Sequence, residues 1–173
     1  LIQPMISTDQ ALQELREGNQ RFLKGVHAQS APELNARQQA TASKQEPFAI
    51  VLSCADSRVP AELVFDQGIG DLFVCRVAGN VAAPSQVGSI EFAAEGFGTR
   101  LIVVMGHSRC GAVQAAAQQA RGLVPDGFSP SVADVIDRIR PSVDQVLESE
   151  PQIEDADLVA KAVRANVENT RKY

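Results

Sequence analysis

The chain has no tryptophan, one tyrosine, three cysteines, two histidines and two methionines in 173 residues. Each shortage excludes something. Three cysteines cannot staple a disulfide scaffold and leave at least one thiol unpaired, which favours a reducing compartment. No apolar run approaches the ~20 residues of a bilayer span. The longest, LIVVMG at 101–106, suits a buried strand instead. Basic residues are neither in excess nor clustered: 16 Lys and Arg stand against 21 Asp and Glu, for a net charge of −5. That balance argues against a nucleic-acid partner and against an anionic membrane surface. With its thiols in a reducing setting, a cytoplasmic protein is expected, or a periplasmic one if a leader has been removed. Internal repeats and low-complexity tracts are also absent.

What remains is an ordinary globular composition, 45% hydrophobic and 21% charged, in a length that fits one domain over residues 1–173. The spacing predicts a helix over 8–24, capped by Thr8 or Asp9 and stopped by Gly25. Its apolar stripe, Leu12, Leu15, Phe22 and Leu23, is a packing surface for the domain or for a partner subunit. Helix formers recur around 33–43, giving an N-terminal helical arm of about 8–44. Three runs follow: FAIVLSC (48–54), DLFVCRVA (71–78) and RLIVVMGH (100–107). All are apolar on both faces, as strands covered by helices on each side are. Helical patterns near 60–66, 86–97 and 110–121 separate or follow them, and two more lie near 131–148 and 155–171. VPDGFSPS at 124–131 reads as a loop. The alternation predicts an α/β fold with a central, mostly parallel sheet flanked by helices.

Chemistry gathers where two of these strands end. SCADSRVP at 53–60 follows the first run, and GHSRCGA at 106–112 closes the third. In an open parallel sheet, sites form beyond the carboxyl ends of the strands. Cys54 and His107 therefore face the same edge, and Cys110 opens the next helix, whose positive end favours thiolate. Two thiolates and an imidazole suit zinc and leave its fourth position open. Zinc so held lowers the pKa of a bound water toward roughly 7. Asp56 lies two residues past Cys54 and can reach that position. Arg58 can hold the carboxylate off by binding both oxygens, so that Asp56 orients the activated water rather than closing the site. Without that restraint Asp56 is a conditional fourth ligand. Taken singly, each feature has a plainer meaning: a cysteine ending a strand is a small core hydrophobe, and Asp-x-Arg is a turn ion pair. Their coincidence at one sheet edge argues for a site. Cys75, mid-strand, reads as core, and His27, in a polar loop, as exposed.

CADSRVP at 54–60, FVCRVAGN at 73–80 and GHSRCGAV at 106–113 resemble the signature blocks of the β-class carbonic anhydrases. The resemblance runs from about residue 8 to the end of the chain. It implies one zinc ion per subunit on Cys54, His107 and Cys110, with Asp56 and Arg58 as the catalytic dyad. It also implies reversible hydration of carbon dioxide to bicarbonate and a proton, in a homodimer or tetramer of dimers. Gln45, in QEP at 45–47, takes the place of a glutamine that binds substrate across the subunit interface. Phe73 takes that of an aromatic walling the pocket. Relatives with a regulatory bicarbonate site carry tryptophan and glycine where this chain has Val51 and Ser53, so that site is expected to be absent. The family continues past VRANVENTRKY with a last edge strand; this chain is expected either to be a fragment or to lack it.

Three rival readings use the same residues. A related zinc hydrolase could act on carbonyl sulfide or carbon disulfide. A non-catalytic zinc module would have Asp56 permanently on the metal, which leaves Arg58 without a purpose. A thiol-nucleophile enzyme built on Cys110 leaves Cys54 and the Asp-Arg pair unexplained.

Overall fold

The computed structural model describes residues 6–28, 31–124 and 127–173, with side chains included for all but 31–34. Five-residue strands form at the three apolar runs: β1 (Ala49–Ser53), β2 (Leu72–Arg76) and β3 (Leu101–Met105), in the order β2-β1-β3. The Phe48 N–H donates to Asp71 O at the start of β1 and β2, and the Val77 N–H to Ser53 O at their end. Like ends meet like ends, so the pair is parallel. Central β1 is buried at every residue, whereas Ile102 in β3 is half exposed and Arg76 ends β2 in solvent. The expectation of helix cover on both faces therefore holds for β1 only. The outer strands each have a free flank, which periodicity cannot register.

Among the described residues, seven α-helices precede, separate and follow the strands: α1 (Thr8–Leu23), α2 (Ala31–Thr41), α3 (Ala61–Val64), α4 (Pro84–Gly96), α5 (Gly111–Ala120), α6 (Pro130–Ser149) and α7 (Asp155–Arg171). A 3-10 turn, Ala78–Asn80, follows β2. The expected loop at 124–131 ends where α6 starts at Pro130, and residues 125–126 of it lie outside the described residues. No helix among the described residues is long and apolar enough to cross a membrane.

The chain divides into two compact units: 1–52 with 57–75 and 85–103, and 53–56 with 76–84 and 104–173. In the first, α1 starts one residue earlier than its sequence suggests. Ser7 is the N-cap, because Gln10 stands at the position that completes a reciprocal capping box with it. The buried face is Ala11, Leu15 and Gly18, so Leu15 of the expected stripe packs inside the chain while Phe22 and Leu23 are exposed. Gly18 decides this. A Cβ there would come 1.7 Å from Phe65 O, so only glycine lets α1 lie against the segment after α3. Asn19 and Arg21 then reach Val64 O and Asp66, tying the N-terminal helix to its own unit.

The second unit is a core of α5, α6 and α7. Val113, Ala116, Ile136, Ile139, Val143, Leu158 and Ala162 are buried together with Cys54 and Cys110. Pro141 sits inside α6 without ending it, because Ile136, Ile139, Val143 and Val146 keep one buried stripe on both sides of it.

Candidate metal centre

Cys54, Asp56, His107 and Cys110 all belong to the second unit. The Ala55 N–H donates to Val77 O, so the chain leaving β1 remains paired beyond the strand itself. Arg76 adds a second restraint: its guanidinium donates to Cys54 O and Asp56 O, fixing the backbone that carries both side chains. On the other side, Gly106 ends β3. A Cβ there would lie 2.7 Å from Val167 Cγ2 and 3.1 Å from Val163 Cγ1, so glycine lets the strand end pass close under α7 and deliver His107. The turn to Cys110 passes through Arg109 at φ 56°, a left-handed conformation that a non-glycine residue holds at a cost of about 1–3 kcal/mol. Cys110 is the N-cap of α5 and makes no capping bond with its side chain.

These elements bring the three predicted ligands together. One donor atom each from Cys54, His107 and Cys110 lie within 4.8 Å of one another. The two sulfurs are 3.9 Å apart. Zinc–sulfur bonds of 2.3 Å at a tetrahedral angle place two sulfurs about 3.8 Å apart, so the pair is already spaced for a shared ion. His107 Nδ1 lies 3.0 Å from Ser108 O and donates to it, which fixes the tautomer and leaves a lone pair on Nε2. That Nε2 is buried and has no hydrogen-bond partner. Among the described residues, the other buried side-chain polar atoms without a partner are Ser53 Oγ and Asn80 Nδ2, both one residue from a site segment. Folded proteins leave few such atoms, and the His107 nitrogen is one that a metal ion would satisfy.

The thiols share a proton unequally. Cys54 is pushed down to about 4, first by the hydrogen bond from the Cys110 thiol, against the opposing effect of burial, and then by the Asp56 backbone, His107 and the Gly79 N–H. Cys110 is pushed up because it donates to Cys54 and because it is buried. The pair therefore favours one thiolate and one thiol in contact at 3.9 Å, which eases the first ionisation in this buried place. Asp56 Oδ2 lies 3.8 Å from His107 Nε2, so the carboxylate borders the same donor set.

A donor set of two cysteines and one histidine with this spacing fits zinc with one position left for solvent or substrate. A family model described as carbonic anhydrase matches residues 49–173. The chain belongs to the β-carbonic anhydrase family. It is 45% identical over 134 residues to "Carbonic anhydrase 2" of Mycobacterium tuberculosis, covering 77% of this chain and 63% of that protein. The chain thus spans less than two thirds of that relative's length. Its fold is similar to that of the β-carbonic anhydrase CcaA, with a TM-score of 0.73 and 28% identity over 94% of this chain and 73% of that one. The Coccomyxa β-carbonic anhydrase in complex with acetazolamide matches with a TM-score of 0.66 and 25% identity, covering 83% and 70%.

The remaining predicted residues, Arg58, Gln45 and Phe73, fall in the first unit. Gln45 lines a cavity there with Thr41, Lys44, Ile69 and Phe97, and the Phe73 ring lies 5.9 Å from that of Phe97. Cys75 is buried core, as expected. His27 is exposed but not idle: its Nδ1 lies 3.4 Å from Asp66 Oδ1. Sequence reasoning missed Arg76 and Gly79. The signal was present in FVCRVAGN, where an arginine ends an apolar strand and a glycine follows two residues before a turn closes.

Proposed function

We propose that this protein hydrates carbon dioxide reversibly to bicarbonate and a proton, with Cys54, His107 and Cys110 holding one zinc ion per subunit. When bound, zinc supplies an acidified water as nucleophile at neutral pH. The observation that carries the reading is that one donor atom each from Cys54, His107 and Cys110 lie within 4.8 Å of one another while the buried His107 Nε2 has no hydrogen-bond partner, in a chain of this family. Asp56, beside that nitrogen, accepts a hydrogen bond from the nucleophile and aims it. Arg58, two residues on, restrains the carboxylate. Arg76 holds the Cys54–Asp56 backbone still while the proton moves. Gln45 and Phe73 are kept as substrate contacts on family resemblance alone. Two β-carbonic anhydrases of similar fold from Sordaria macrospora are tetrameric, and a homodimer or tetramer of dimers is proposed here too. Three free cysteines suit a reducing, cytoplasmic setting.

The test is metal analysis with stopped-flow hydration. One zinc per chain and a rate abolished by Cys54→Ser are expected. Full hydration by chelator-treated protein, or by C54S, would sink the proposal. One observation favours a second reading: Asp56 lies close enough to His107 Nε2 to become a fourth ligand. X-ray absorption near pH 8 separates the two, since an Asp-ligated sphere shows two sulfurs, one nitrogen and a carboxylate oxygen without solvent.

A further inference from the structure

Gly79 occupies the turn after β2 at φ 68° and ψ 15°, the left-handed region. Its N–H donates to Cys54 Sγ at 3.3 Å, and its carbonyl accepts from Asn166 Nδ2 at 2.8 Å. A Cβ on Gly79 would lie 2.4 Å from Ile139 Cδ1 and 3.3 Å from Ala112 Cβ, so α5 and α6 press on the same residue that α7 ties down. The two bonds lie in successive peptide planes on either side of the Gly79 Cα. Asn166 therefore acts on where the donor N–H points, not on how strongly that amide is polarised.

The placement of Asn166 is unusual for its type. Leu158, Ala162 and Asn166 follow one another at four-residue spacing on α7, and all are buried, Asn166 at 2% exposure. This is a core stripe, where an apolar residue would pack without any desolvation penalty. An amide is tolerated there because it satisfies a carbonyl, and that carbonyl belongs to the residue hydrogen-bonded to a metal-ligand sulfur. Asn169, three residues on, bonds Ser142 and Gln145 instead and has no link to Gly79 in these contacts.

We infer that Asn166 is a positioning residue for the metal centre: it orients the Gly79 N–H toward Cys54 Sγ and so sets the donor strength of that sulfur. The inference rests on the metal reading above. A hydrogen bond to a ligating thiolate draws density from sulfur, which weakens its donation to the metal and leaves the ion a stronger Lewis acid.

Cobalt(II) is the probe, added to full-length protein stripped of metal. Wild-type protein should show a sulfur-to-cobalt charge-transfer band. In Asn166→Leu, which keeps the burial and loses the donor, sulfur donates more strongly and the band should move to lower energy. Asn169→Leu perturbs the same helix and should leave the band in place. If Asn166→Leu does not fold, Asn166→Ser, smaller and too short to span the contact, carries the same expectations. A role in packing alone would lower the melting temperature and leave the band in place; that result overturns the inference. Absence of any charge-transfer band in wild-type protein would instead overturn the metal reading on which it stands.

Discussion

At the scale of single residues, Asp56 and Asp66 show how the same side chain serves two ends. Asp56 borders the His107 nitrogen, and its replacement by alanine should leave zinc bound while lowering the hydration rate by at least ~10²-fold. Metal analysis alongside stopped-flow kinetics checks this; an Asp56→Ala protein at full rate removes the residue from the mechanism. Asp66 is buried, which by itself would raise its pKa, but hydrogen bonds from Arg21 and the Ala28 N–H, with the Arg21 charge, bring it below the usual carboxylate value. A depressed carboxyl adds stability above its unfolded pKa of about 3.9 and loses it as the pH falls through the lower folded value. Asp66→Asn should thus cost about 1–3 kcal/mol at pH 7. The gap from wild type should narrow below pH ~4. Urea midpoints across that range decide it, and a gap independent of pH would show that charge is not what Asp66 contributes. The candidate ligands stand out in the sequence because metal chemistry restricts residue type and strand ends restrict place. The 3.9 Å approach of the two sulfurs does not, since that pair arises only on folding.

At the scale of elements, the order of strands and helices follows from periodicity, and every predicted element exists within a few residues of its expected span. What periodicity could not reveal was which face is buried. A hydrophobic count singles out Leu12, Leu15, Phe22 and Leu23 on α1, of which Leu15 is buried within the chain, and it passes over Gly18, which sits at the contact. Close approach selects the smallest residue, not the most apolar one. Gly18→Ala should therefore push α1 off the Phe65 carbonyl and cost about 2 kcal/mol or more. The substitution lies in the first unit, so zinc stoichiometry should be preserved while the thermal midpoint falls. Unchanged stability would mean that α1 shifts without penalty.

At the scale of the molecule, the proposed metal ligands are not appended to a finished core; two of them are part of it. Cys54 and Cys110 are buried with Val113, Ile139, Val143 and Leu158 in the cluster that unites α5, α6 and α7. An ion bound there stabilises the folded chain by mass action, about 4 kcal/mol at a thousand times its dissociation constant. For a chain of this length that corresponds to roughly 8–16 °C in melting temperature. Chelation should produce a fall of that order, and Cys54→Ser should be insensitive to chelator because its site is already broken. Hydrogen exchange locates the effect: segments of the second unit, Arg76–Pro84 and Gly111–Ala120, should lose protection on chelation before Thr8–Leu23 of the first does. If protection instead fell equally everywhere, the ion would be acting on one cooperative whole, and the second unit would have no stability of its own for the metal to reinforce.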